Sequence, residues 1–255
     1  MIIDSYTHCG LDKFLPVEAV RSSMMAAGVD RAVLCQHLGQ FDNSYIRSCV
    51  ASEPEVFAGV AMIDTTQFGV LENLEHVKQE GIMRGVRMTA DSLKNAPSVS
   101  RSILSHGMNL VLYCPEGISD IRPQLDKLAE VDGSGRVIIT HMGTPVVVNG
   151  ELTRGNELLE CADNPILMVT LSGLGMACEY PHGATRDFVG ATVDAFGPRR
   201  VMWGSNFPVL GDSKAYGADL ALLLDNYWSL PDESIPWISG ATSDHLWFDS
   251  VTDGL

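Results

Sequence analysis

The sequence predicts a closed parallel α/β barrel of the (β/α)8 TIM type, with some distortion allowed, and three observations lead there. Eight short apolar, β-branched runs recur at fairly even intervals, stretches of helical periodicity separate them, and polar residues suited to chemistry fall where the runs end. The runs are Ile2-Ile3, Arg31 to Cys35, Val56 to Ile63, Gly85 to Met88, Asn109 to Cys114, Arg136 to Thr140, Ile166 to Leu171 and Arg200 to Trp203. Strands alternating with helices of roughly 10 residues imply parallel pairing through right-handed crossovers. Eight such units in 255 residues imply closure.

The first helical stretch, Pro16 to Ala27, has Pro16 suited to its opening turn and Gly28 to its stop. Asn43 to Ala51, Val70 to Gln79, Ile118 to Glu130, Gly155 to Cys161, Ala184 to Phe196 and Gly217 to Asn226 follow, and Trp237 to Phe248 is expected as a C-terminal helix packed over the barrel. An open doubly wound sheet is the alternative, but neither G-x-G-x-x-G nor G-x-x-x-x-G-K-[ST] occurs to support nucleotide binding. With no linker, solenoid repeat or low-complexity tract, residues 1–255 read as a single barrel domain.

Composition narrows the function classes. At 45% hydrophobic and 19% charged residues the chain can bury a full core. No run of about 18 apolar residues suggests a membrane span, and no basic region with a cleavable apolar stretch opens the chain, so a cytoplasmic location is expected. The net charge of −15 disfavours nucleic acid and anionic membrane as partners, leaving a small molecule. The six cysteines are scattered without C-x-x-C spacing and read as buried free thiols. Nothing in the sequence speaks to oligomeric state.

In a barrel the chemistry sits where strands end and βα loops begin. The run ends carry Tyr6 and His8, Gln36 and His37, Arg87, Tyr113, His141, Ser172 and Asn206. Tyr6 and His8 lie two apart and share a strand face, with Asp4 expected on that face one step deeper. His8 and His141 each follow a β-run and precede a glycine-containing loop, whereas His76, His106 and His245 fall in or beside helical stretches and read as structural. His37 and His182 stand between. Arg87 at a strand end needs an anionic partner, either Asp64 or Asp91 within the chain or a substrate carboxylate held in a bidentate fork. Asn43, after Asp42 at a helix start, is most simply a cap and is also a candidate for substrate contact.

These residues have a familiar order. Through Ile3-Asp4-Ser5-Tyr6-Thr7-His8, Asp42-Asn43-Ser44-Tyr45, Gly85-Val86-Arg87, Thr140-His141-Met142-Gly143-Thr144-Pro145, Leu171-Ser172-Gly173, Trp203-Gly204-Ser205-Asn206-Phe207-Pro208 and Ser239-Gly240-Ala241-Thr242, the chain resembles the amidohydrolase superfamily. The group concerned is amidohydrolase 2, which includes sugar-acid lactonases, 2-pyrone dicarboxylate lactonase-like enzymes and decarboxylase-like lyases. The resemblance implies metal ligands at Tyr6, His8, His141 and Asn206, yet only His8 and His141 keep a typical ligand type. It implies an aspartate base in the slot where Asn206 stands, and an amide is no base at neutral pH.

Expected catalytic residues are therefore His8 or His141 as base, with Asn206 orienting water. Arg87, Tyr6, Tyr113, His37 and Asn43 are expected at the substrate. Any metal, held by His8 and His141, is expected to be a weakly bound divalent ion such as zinc, or none. The expected activity is hydrolysis of a carboxylated or sugar-derived lactone. Decarboxylation or isomerisation of a small unsaturated acid, and a catalytically inactive barrel that binds a small acid or a partner, are the alternatives.

Overall fold

The computed structural model describes residues 1–211 and 213–249. Eight strands form one parallel sheet in the order β1 (Ile3–Thr7), β2 (Arg31–Cys35), β3 (Phe57–Met62), β4 (Met83–Thr89), β5 (Asn109–Tyr113), β6 (Val137–Ile139), β9 (Leu167–Leu171) and β10 (Val201–Trp203). The seam between β10 and β1 is closed by the Asn206 N–H donating to the Tyr6 carbonyl at 2.9 Å and the Ser5 hydroxyl donating to the Trp203 carbonyl at 2.5 Å. The result is the expected (β/α)8 barrel. No helix among the described residues is long and apolar enough to cross a membrane.

Buried on both faces, such strands need apolar side chains in both directions, which explains why the runs read as nearly continuous. Val33, Cys35, Val60, Val111, Ile138 and Met202 fill the interior, while Ala32, Leu34, Val86, Leu110, Ile139 and Val169 pack outward in the larger core. Outside lie α1 (Val17–Ala27), α2 (Ser44–Ser52), α3 (Val70–Glu80), α4 (Ala90–Asn95), α5 (Pro97–Ser105), α6 (Arg122–Leu128), α7 (Arg186–Phe196) and α8 (Ser213–Leu224). The expected C-terminal helix is a π-helical turn, Trp237–Ala241, followed by α9 (Thr242–Trp247). It plugs the amino-terminal end of the barrel, where Trp247 joins the interior cluster.

Three local expectations need correcting. The segment between β4 and β5 holds a helix pair that periodicity hides, because each helix is short: Thr89 caps α4 by accepting the Ser92 N–H, and Pro97 opens α5. The helix expected at Gly155 to Cys161 is a 3-10 segment, Asn156–Cys161, preceded by an antiparallel hairpin of β7 (Val146–Val148) and β8 (Glu151–Arg154). The third concerns Asp4, which does not share a face with Tyr6. Against β2, Asp4 pairs with Ala32 and Thr7 with Leu34, so three steps on β1 match two on β2. This bulge reverses the alternation, leaving Tyr6 inside and turning Asp4 outward with Ala32 and Leu34.

Turned outward, the Asp4 carboxylate accepts hydrogen bonds from the Tyr6 N–H, the Ser205 N–H at 2.9 Å and the Ser205 hydroxyl at 2.6 Å. It ties β1 to the loop after β10. Burial pushes its pKa from 3.8 up to about 6, against the pull of these hydrogen bonds. A raised carboxyl favours the folded state while protonated, so its contribution is complete below 3.8 and is lost as pH rises through about 6. Urea titrations of the wild type and Asp4→Asn should therefore show the stability difference moving against the wild type by about 2 kcal/mol between pH 4 and pH 6. A difference independent of pH would show that Asp4 is ionised throughout.

Candidate active site

The strand ends converge on a cavity of about 200 Å3 lined by His8, Lys13, Phe14, His37, Leu38, Arg87, Tyr113, His141, Met176, Asn206 and Val209. It opens at the carboxyl ends of the strands, as a barrel requires. Six of the expected site residues meet here. Tyr6 lies directly beneath, 1% exposed, its ring edge-on to His8 at 4.9 Å and to His141 at 5.1 Å. Asn43 does not line the cavity. Its amide donates to the Phe41 and Met62 carbonyls and accepts the Met62 N–H, a staple between α2 and the end of β3 that occupies both side-chain polar atoms.

His8 Nδ1 lies 2.7 Å from the Cys35 carbonyl oxygen, which can only accept, so the proton sits on Nδ1 and the Nε2 lone pair is free. The ring also stacks on Phe14 at 5.1 Å. His141 Nδ1 is 2.9 Å from the Ser172 hydroxyl, and its backbone stands in the left-handed region at φ 54°. A side chain at Gly173 would put its Cβ 2.6 Å from that Nδ1, so only glycine lets the β9 loop pass so close. Burial, reinforced by the Arg87 guanidinium, holds His8 well below its ordinary pKa and pushes His141 down to about 3. Both imidazoles are neutral at physiological pH.

Arg87 is 5% exposed, and its Nη1 donates to the Gln36 carbonyl at 2.9 Å, while its Nε has no partner among the described residues. The guanidinium carbon stands 5.5 Å from the Tyr6 ring centre and 5.7 Å from that of Tyr113, two cation–π contacts. Neither acid expected as an internal partner reaches it: Asp64 accepts from the N–H and hydroxyl of Thr66, and Asp91 lies exposed in the first turn of α4. Lys13 and Phe14, in the loop after β1, went unnoticed in sequence because no periodicity marks a βα loop. Leu38, Met176 and Val209 share that fate. His182 is buried outside this cavity, bonded to the Cys178 carbonyl and Asp219, while His106 pairs with Glu75 and His245 with Asp249.

The motif segment Ser239-Gly240-Ala241-Thr242 lies at the other end of the barrel. A Cβ on Gly240 would fall 2.3 Å from the Met1 carbonyl oxygen, so this glycine seats the π-helical turn against the start of β1 and has no place at the cavity.

Eight parallel strands with a polar cavity at their carboxyl ends define a TIM-barrel enzyme. The amidohydrolase family profile matches residues 120–247, half of the chain, and the chain belongs to that family. The match includes His141 and Asn206, while Tyr6, His8 and Arg87 precede it. L-Fucono-1,5-lactonase of Burkholderia ambifaria is 26% identical over 208 residues, 76% of this chain and 71% of the relative. D-Galactarolactone isomerase of Agrobacterium fabrum is 27% identical over 231 residues, 85% of this chain and 75% of the relative. Among solved structures, a Pseudomonas putida protein provisionally named 2-pyrone-4,6-dicarboxylic acid hydrolase has a TM-score of 0.76 at 19% identity, over 96% of both chains. A Burkholderia multivorans amidohydrolase with bound zinc has a TM-score of 0.74 at 17% identity, over 96% of this chain and 98% of that one. These two likenesses attest the fold.

The donor set here does not fit the metal that the family pattern implies. Among the described residues no group of three His, Cys, Asp or Glu side chains is placed to hold an ion. The Tyr6 ring fills the space between the two imidazoles, and burial raises its phenol further above its ordinary pKa, so no phenolate is available. The Asn206 amide is turned to the Met176 sulfur at 3.7 Å, and the Arg87 cation faces the same space. Replacing Tyr6→His together with Asn206→Asp should supply a third imidazole and a negative charge. By calorimetry, the double variant should bind zinc at least a hundredfold more tightly than the wild type. Equal affinity in a folded variant would show that the strand ends have left the family geometry.

Proposed function

We propose that this protein is a lactonase that opens a small lactone bearing a carboxylate group, with at most a weakly held divalent metal, and that His8 is its base. The observation that carries the reading is the 2.7 Å contact between His8 Nδ1 and the Cys35 carbonyl. It leaves Nε2 as the unprotonated nitrogen of a residue that lines the same cavity as a guanidinium with no acid beside it. Two lactone-named relatives, each matching more than two thirds of this chain, support the substrate class. The lyase and non-catalytic readings have no comparable observation.

In this scheme the substrate carboxylate docks on the part of the Arg87 guanidinium that the Gln36 carbonyl does not occupy. Water held by the Asn206 amide attacks the lactone carbonyl carbon as His8 Nε2 takes its proton. The tetrahedral oxyanion collapses, the ring C–O bond breaks, and the proton returns to the departing alkoxide to give the hydroxy acid. Lys13 at the rim and the Arg87 charge together favour the anionic states along this path. A lactone is an activated ester, which suits so mild a base.

Hydrolysis of a panel of aldonolactones and pyrone carboxylates, followed by pH change, tests the activity; no turnover of any member would overturn the reading. Arg87→Lys keeps the charge and loses the fork, so KM for a carboxylated lactone should rise about tenfold or more with the fold intact. A loss of stability without a change in KM would make Arg87 structural. Because burial and Arg87 lower the His8 pKa, the base stays unprotonated well below the usual histidine range. The kcat/KM profile should remain flat from pH 7 down to pH 6, and His8→Ala should cost about a hundredfold or more. An acid limb centred near 6.5 would point to a different base.

A further inference from the structure

A second cavity of about 180 Å3 opens at the opposite, amino-terminal end of the barrel. Arg136, Arg199 and Arg200 line it together with His245, Trp237 and Thr242, over an apolar floor that includes Met168 from the barrel interior. The arginines converge because Arg136 immediately precedes β6, and Arg199 and Arg200 precede β10, two strands separated in the sheet only by β9. No acidic residue lines this cavity among the described residues. Asp249 is engaged by His245 at 2.7 Å, and Asp163, which acts on Arg200, is not in the lining.

The three guanidiniums are unequally occupied. Arg200 donates through Nε to the Phe196 carbonyl and through Nη1 to the carbonyls of Ala162 and Asn164, which locks it in place. Arg136 has one long bond, from Nη1 to the Ser134 carbonyl at 3.3 Å. Arg199 stacks over Trp237 at 4.2 Å, and none of its nitrogens has a hydrogen-bond acceptor among the described residues. Three like charges around one small space repel each other, and in a chain of net charge −15 there were ample carboxylates to neutralise them. Their absence from the lining, among the described residues, opens the neutralising role to a ligand.

We infer that this end of the barrel is a binding site for a small organic anion, with the Arg136 and Arg199 forks taking its oxyanion group and the Trp237 and Met168 surface taking its apolar body. A carboxylate and a phosphate ester satisfy the same chemistry, and the test separates them. Calorimetric titrations with benzoate, benzyl phosphate and inorganic phosphate should be run on the wild type, Arg87→Lys, Arg136→Gln, Arg199→Gln and the double variant Arg136→Gln/Arg199→Gln. At least one organic anion should bind saturably. Its affinity should fall roughly tenfold in each single variant at this end and be lost in the double variant, while Arg87→Lys leaves it unchanged. Preference for benzoate assigns a carboxylate ligand, and preference for benzyl phosphate a phosphate ester. Thermal unfolding midpoints matching the wild type would show that the variants report binding. The inference fails if none of the three probes binds, if binding survives in the double variant, or if Arg87→Lys abolishes it, since the last outcome would place the anion in the active-site cavity.

Discussion

A buried guanidinium without an acid beside it is the constraint around which the candidate active site is organised. Arg87 keeps its charge in a 5% exposed position through one carbonyl and the faces of two aromatic rings. Those contacts stabilise a cation less than a carboxylate would, so the site is left wanting an anion. Burial, reinforced by the same charge, lowers both His8 and His141, which keeps the two imidazoles neutral. That charge also opposes a second cation in the cavity. The neutrality of the imidazoles and the poverty of the metal site thus owe part of their cause to one buried charge.

The bulge in β1 decides what stands around that charge. Because side chains alternate along a strand, one extra residue sends everything on one side of it to the opposite face. Without the bulge Asp4 would lie on the same face as Tyr6, a carboxylate inside the barrel. With it, Asp4 is removed to the outer shell and bonded by Ser205, and the Tyr6 ring becomes the floor between two imidazoles. One inserted residue thus serves both the closing seam of the barrel and the seating of the Tyr6 ring.

The barrel was legible in the sequence because parallel strands buried on both faces leave uninterrupted apolar runs, and all eight expected runs contain or overlap a strand. The convergence of His8, His37, Arg87, Tyr113, His141 and Asn206 was legible for a related reason: residues at or shortly after the carboxyl end of a barrel strand lie at the mouth by topology alone. The bulge was not, since Asp4-Ser5-Tyr6-Thr7 alternates as well as any regular strand and the register appears only against β2. Asn43 misled because a polar residue beside a strand end looks alike whether its amide faces a substrate or staples the backbone. Lys13 and the arginines at the amino-terminal end escaped notice because loops bring them together without any periodic spacing.

The asparagine at position 206 follows from the same electrostatics. Its backbone lies at φ 54°, in the left-handed region that asparagine and aspartate both tolerate better than most residues, so the conformation does not dictate the choice between them. Charge does. In a cavity of about 200 Å3, an aspartate at this position would share the walls with Arg87 and offer it a permanent carboxylate partner. Where a metal is bound, such an acid is engaged by the ion. Where the donor set holds no ion firmly, it would draw the guanidinium to itself and raise the pKa of both histidines. A neutral amide avoids both effects: Asn206 leaves the Arg87 guanidinium without a carboxylate neighbour, while the Tyr6 ring takes the space between the two imidazoles.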